Sequence, residues 1–193
     1  MARIAILGWG SLIPELRGLP LASSWQSGGP VLKIEFSRIS ADGRLTLVID
    51  RENGAEVTTQ YAESPRTEPE DAVCDLMSRE GTSRDNICVC SKRNPETPSC
   101  NHPEILPVIR KWLDASPFDA VIWTDLQSNF KKKQGKRFSI DGALDYLDSL
   151  PPVCRAKARD YINKAPEQTQ TKLRQHLREV GWDRTNELRK HPL

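Results

Sequence analysis

The sequence predicts an α+β protein: a mixed, curled β-sheet or small β-barrel with helices packed outside, followed by a helical C-terminal segment. Three observations carry that expectation. Short β-rich runs crowd the first third of the 193-residue chain. Two of them are joined by Asp42-Gly43 and the next follows Asn53-Gly54, both strong hairpin signals. Helical patterns come mostly later, and they do not alternate with strands as a parallel βαβ sheet requires. At this length one good core is expected.

The elements follow in order. Ile4–Leu7 is the first strand. Residues 12–30 end in Gly28-Gly29-Pro30 and read as a loop. Val31–Arg38, Arg44–Ile49 and Val57–Ala62 read as the next three strands. Thr67 with Glu70 three residues on predicts a capping box, Pro69 suits a first helical turn, and Gly81 suits a C-terminal stop, so a helix is expected over 68–80. Asn86–Ser91 is the fifth strand, 92–102 a polar loop, Pro103–Asp114 a helix, Phe118–Thr124 the sixth strand, 131–137 a basic loop and Ile140–Leu150 a helix. Beyond 150, Cys154, Ala158 and Tyr161 share one helical face. Leu173, Leu177 and Val180 share another, stopped by Gly181. The expected division is an α+β domain over 1–150 with a helical extension over 151–193.

Composition narrows the function classes. The chain is 37% hydrophobic and 28% charged, with a net charge of +2. No run approaches the roughly 18 apolar residues of a membrane span. The N-terminus lacks a signal-peptide pattern, so a cytoplasmic location is expected. Five cysteines, an odd number without an export signal, predict reduced thiols rather than a disulfide framework. The tail from 151 is modestly basic, which alone is no nucleic-acid signature.

Two features point to chemistry. Gly8-Trp9-Gly10-Ser11-Leu12 follows the first strand, and glycines there let backbone N–H groups approach an oxyanion closely. On the 68–80 helix, Val73, Leu76, Met77 and Glu80 are spaced i, i+3, i+4, i+7. Glu80 therefore shares the apolar face, in the last turn, where both desolvation and the helix dipole raise a carboxyl pKa. A half-buried carboxyl of that kind suits general acid/base work. The plainer alternatives are a Glu80 that bends out to water and a tight turn capped by Trp9.

Taken together, "ILGWGSLI", "IEFSRISADGRLTLVI" and "AVCDLMSREG" resemble the γ-glutamylcyclotransferase-like family, over roughly residues 3–125. That family opens with a strand and a Tyr-Gly-Ser turn. Its catalytic Glu ends a helix in Leu-x-x-x-Glu-Gly, matched here by Leu76 to Gly81. The resemblance implies release of 5-oxoproline from a γ-glutamyl amine or peptide, a transferase-type reaction without metal or nucleotide. Glu80 would be the acid/base, and Gly8, Trp9, Gly10, Ser11 and Leu12 the substrate loop. The chain departs from the family at Trp9, where a Tyr is usual, and at Leu12, where an Asn is common. It also lacks the aromatic that often follows Glu-Gly. A non-catalytic module binding a small molecule or a protein on the same fold is the alternative.

Other constellations are weaker. Cys88, Cys90, Cys100 and His102 offer four zinc ligands, but CxC…CxH is not a common structural zinc spacing, so no metal is expected. Lys131, Lys132, Lys133, Lys136 and Arg137 form the densest basic run. With Phe130 and Phe138 only at its ends, it reads as a solvated loop rather than a nucleic-acid surface. Asp125 and Asn129 close the last strand, Asp125 being a candidate to assist Glu80 or bind the substrate amine. A Ser11-His-Asp triad lacks a histidine near Ser11 in sequence. The expected partner is a small-molecule amide; the sequence carries no oligomer signal.

Overall fold

Every residue from Ile4 to Gly8 is buried, because β1 (Ile4–Gly8) runs through the middle of the sheet with apolar cover on both faces. The computed structural model describes residues 1–94 and 100–182. Five further strands flank β1: β2 (Gln26–Ile39), β3 (Leu45–Ile49), β4 (Ala55–Glu63), β5 (Ile87–Ser91) and β6 (Ala120–Thr124). They form one mixed sheet in the order β3-β2-β4-β1-β6-β5. All neighbours pair antiparallel except β1 and β6, which run parallel with Ile4 opposite Ala120.

The α+β expectation holds and the barrel does not. β3 and β5 end the sheet and, among the described residues, no pairing joins them. Helices close both faces instead. On one face α1 (Pro69–Glu80) presses Ala72, Val73 and Leu76 onto Ile4, Ile6 and Ile122. On the other, α2 (Leu106–Ala115), α4 (Ile140–Ser149), α5 (Pro152–Lys164) and α6 (Lys172–Glu179) bury Ile109, Leu147, Ile162 and Leu173 against Leu7, Phe36 and Trp123. The tail predicted as an extension thus shares the main core, through residue 182. Leu173 and Leu177 are buried as expected, but Val180 is 52% exposed because α6 has ended before it.

Three local expectations are corrected. β2 starts at Gln26, not Val31: Gln26 and Ser27 already pair with Tyr61 and Gln60, and a register shift absorbs Gly28-Gly29-Pro30. Gly28 takes φ +95° there, and a Cβ on Gly29 would lie 2.4 Å from Thr59 Oγ1. The capping box does not form. Glu68 is the helix cap without a side-chain bond, and Glu70 pairs with Arg84 instead. The stop at Gly81 does form, with φ 60° and its N–H on the Met77 carbonyl. The basic run opens as a short helix, α3 (Phe130–Gln134), rather than a loop. Phe130 anchors it in the core while Lys131, Lys132, Lys133, Lys136 and Arg137 stay exposed.

Candidate functional site

Parallel strands β1 and β6 both end at one edge of the sheet, the position where open sheets commonly hold ligands. A cavity of about 360 Å³ lies there. Gly8, Trp9, Gly10, Ser11 and Leu12 form one wall, and Glu80 at the end of α1 lies on another. The two features that the sequence singles out separately, 68 residues or more apart, line one space.

The glycine loop is shaped by contact as well as by turning. A Cβ on Gly8 would meet the Trp25 ring at 2.9 Å, and one on Gly10 would meet Leu47 at 3.3 Å. The chain then turns, with Ile13 N–H on the Gly10 carbonyl and Glu15 N–H on the Ser11 carbonyl. Trp9 and Leu12 line the cavity but are largely buried, at 7% and 5% exposure. They serve as apolar wall.

Glu80 is half-buried, its side chain 20% exposed. Desolvation lifts its carboxyl above the usual carboxylate range, and the charges of Arg79 and Arg17 pull it partly back. Arg79 Nη1 donates to Glu80 Oε1 at 2.9 Å, while Nε and Nη2 of the same guanidinium donate to the Glu15 carbonyl. The carboxyl therefore points where the sequence pattern places it, on the inner edge of α1, and is fixed there by a neighbour that the pattern does not mark.

Tyr161 is the residue whose role the sequence hides. Its spacing from Cys154 and Ala158 reads as a core face, yet α5 delivers its phenol into the cavity. Burial raises its pKa first of all, the Ser11 hydroxyl and the Leu47 backbone act to lower it, and Glu80 is close enough to add to the rise electrostatically. Arg44 lies over the ring, 5.0 Å from its centre.

Asp125 does not line this cavity. Its Oδ2 accepts the Asn101 and His102 N–H groups, and its Oδ1 lies 2.7 Å from His102 Nδ1. A buried His–Asp pair thus exists, outside the set of residues that line the cavity with Ser11. The chain ends β6 with Thr124 facing the cavity, and the alternation along a strand turns the next side chain away.

The cysteines also depart from expectation. Cys88 and Cys100 form a disulfide, with Cα atoms 5.7 Å apart, while Cys74, Cys90 and Cys154 are free. Burial raises the Cys90 thiol pKa. Cys88, Cys90, Cys100 and His102, weighed as a zinc set and set aside, do not form one cluster of candidate ligand atoms among the described residues. Among the described residues only Cys88, Cys100 and Asp125 hold candidate ligand atoms within 4.8 Å of one another, and the two sulfurs are bonded.

Among the described residues no helix is long and apolar enough to cross a membrane. Comparison with protein-family models, with curated proteins and with solved structures finds no match to this chain.

Proposed function

We propose that the cavity is the active site of a γ-glutamylcyclotransferase-like enzyme, releasing 5-oxoproline from a γ-glutamyl amine or peptide. The observation that supports it best is the meeting of Glu80 with the Gly8–Leu12 loop in one cavity, with the carboxyl pKa raised. In this reading Glu80 takes a proton from the substrate's α-ammonium. The freed amine attacks the γ-carbonyl carbon and closes a five-membered ring. The proton then passes to the departing nitrogen as the amide bond breaks, so no water or cofactor is consumed. Backbone N–H groups of Gly10 and Ser11 would hold the developing oxyanion. Holding amine and carbonyl together supplies much of the rate.

The test is mass-spectrometric detection of 5-oxoproline after incubation with γ-glutamyl amines, γ-glutamyl amino acids and glutathione. Wild type should release it and Glu80→Gln should not, while still binding the substrate. A second reading, a binding module on the same fold, is favoured by one observation: Arg79 already occupies one oxygen of the Glu80 carboxyl, at 2.9 Å. Absence of product from every substrate would select it.

A further inference from the structure

A second group of reactive side chains gathers outside the cavity lining, where β5 and the end of β6 meet the segment around Cys100. Cys88 stands on β5, opposite Trp123 of β6. Asp125 follows the last residue of β6, with its N–H on the Asn86 carbonyl just before β5 begins. One ligand atom from each of Cys88, Cys100 and Asp125 lies within 4.8 Å of the other two. Cys88 and Asp125 are each 1% exposed, while Cys100 is partly exposed.

The carboxylate is deliberately held. The Asn101 and His102 N–H groups donate to Oδ2, and His102 Nδ1 lies 2.7 Å from Oδ1. A carboxylate accepts at about four lone-pair positions, so these three contacts leave one of them, on Oδ1. The disulfide beside it carries no charge and no hydrogen-bond donor, and gives a buried carboxylate nothing in return for its desolvation. A cation bound by the same sulfurs would.

We infer that Cys88 and Cys100, when reduced, bind a zinc ion together with Asp125, and that His102 and the Asn101 N–H orient the carboxylate. Two thiolates and a carboxylate are ligands that zinc accepts, whereas magnesium and calcium take oxygen alone. The spacing suits it. At a Zn–S distance of about 2.3 Å, ligand atoms of a tetrahedral site stand roughly 3.8 Å apart. The two Cα atoms are 5.7 Å apart, and side-chain rotation takes the sulfurs from bonding distance to that spacing. Three protein ligands leave the fourth position to water. Hydrogen bonds to the far side of a ligating carboxylate are the usual outer support of a metal site.

The disulfide and the ion exclude one another. A dithiol reductant opens the Cys88–Cys100 bond by exchange: it gives up two electrons, closes into its own disulfide and leaves two thiols. Zinc then binds the thiolates, and two protons pass to solvent. Two members of the sequence set Cys88, Cys90, Cys100 and His102 thus ligate, Asp125 is the third ligand, and His102 acts from behind it. The site is independent of the cyclotransferase reading.

The experiment titrates cobalt(II), a spectroscopic probe, and then zinc into the full chain. Wild type reduced with a phosphine, then freed of it without oxygen, should bind about one equivalent of cobalt with thiolate-to-cobalt absorption in the near ultraviolet, and zinc should erase the band. Oxidised wild type keeps Cys74, Cys90 and Cys154 as free thiols, so it controls for binding elsewhere and should show no band. Cys88→Ser should lose the band. Asp125→Asn should weaken zinc binding at least tenfold. His102→Ala should weaken it by about tenfold to a hundredfold with the thiolate band retained, since both sulfurs remain. A readout that needs no variant is thermal unfolding: zinc should raise the Tm of reduced wild type by several degrees and leave that of oxidised wild type unchanged. Reduced wild type with neither a thiolate band nor a zinc-dependent Tm overturns the site. Equal uptake by reduced and oxidised protein overturns it too, because the metal then sits on the other thiols. Undiminished affinity in Asp125→Asn overturns the ligand set.

Discussion

Ser11 and Tyr161 line the same cavity, which joins the first turn of the chain to a helix 150 residues later. One belongs to the loop proposed to hold the substrate, the other to a segment that reads as core packing. Tyr161→Phe removes the phenol oxygen from this cavity wall, where Ser11 and Glu80 also stand. The expected cost is about 1–2 kcal/mol in kcat/KM for 5-oxoproline release, with Tm shifted by only a few degrees. A large fall in Tm with unchanged kinetics of the folded fraction would assign Tyr161 to packing alone.

Arg79 opposes the effect of burial on Glu80. Its guanidinium lowers a carboxyl pKa that burial raises. Replacing Arg79 by Met removes the opposing charge, so the pKa of Glu80 should rise further. If Glu80 works as a base, kcat/KM climbs with pH through that pKa. The acid limb of the profile should therefore move to higher pH in Arg79→Met. A limb that stays in place would show that another group controls it.

Glu35 is a fully buried carboxyl that does not line the cavity. It is 0% exposed on β2. Its Oε2 accepts the Lys172 and Leu173 N–H groups at the start of α6, and its Oε1 accepts the Phe36 N–H at 2.8 Å. Desolvation outweighs these bonds and raises its pKa. A raised folded pKa means that the native state binds the proton more tightly than the unfolded chain does. The stability this adds is present below the unfolded carboxyl pKa and is lost as pH rises through the folded one. The stability of wild type relative to Glu35→Gln should therefore fall from pH 4 to pH 8. Reference to the variant matters because Glu15, Asp42 and Glu63, with lowered pKa values, move the other way. A relative stability that rises with pH would reverse the assignment.

The Cys88–Cys100 bond predicts a thiol count. Protein purified without reductant and denatured should show three reactive thiols, and five after reduction. Cys100→Ser should lose about 2–3 kcal/mol of stability to a closed loop of this size. Five thiols before reduction would remove the bond.

Local chemistry explains which parts of the molecule the sequence discloses. Glu80 is legible because an i, i+3, i+4, i+7 pattern states which face a helical residue shares. The strand cores are legible because β-rich runs are bounded by Asp42-Gly43 and Asn53-Gly54. β2 is not fully legible, since Gly28-Gly29-Pro30 reads as a break and only the pairing with β4 shows it to be a register shift. Tyr161 and Arg44 are hidden for a different reason. Each sits on a face whose partner lies far along the chain, and nothing local distinguishes a cavity wall from packed core or solvated edge. Asp125 misleads because a polar residue ending a strand suggests a contact in the cavity, while its carboxylate is held outside it by Asn101 and His102.

Thr169 donates its hydroxyl to the carbonyl of Trp9 at 2.8 Å, and both groups are buried. The loop proposed to grip substrate is thus braced from a point 160 residues downstream. During synthesis the Gly8–Leu12 turn emerges first but cannot take its final form until α5 and the Thr169 segment have left the ribosome. Closing so long a separation is entropically slow. Nascent chains should therefore gain the sheet before the cavity, and a ribosome-arrested chain ending before residue 161 should be folded in part yet unable to bind.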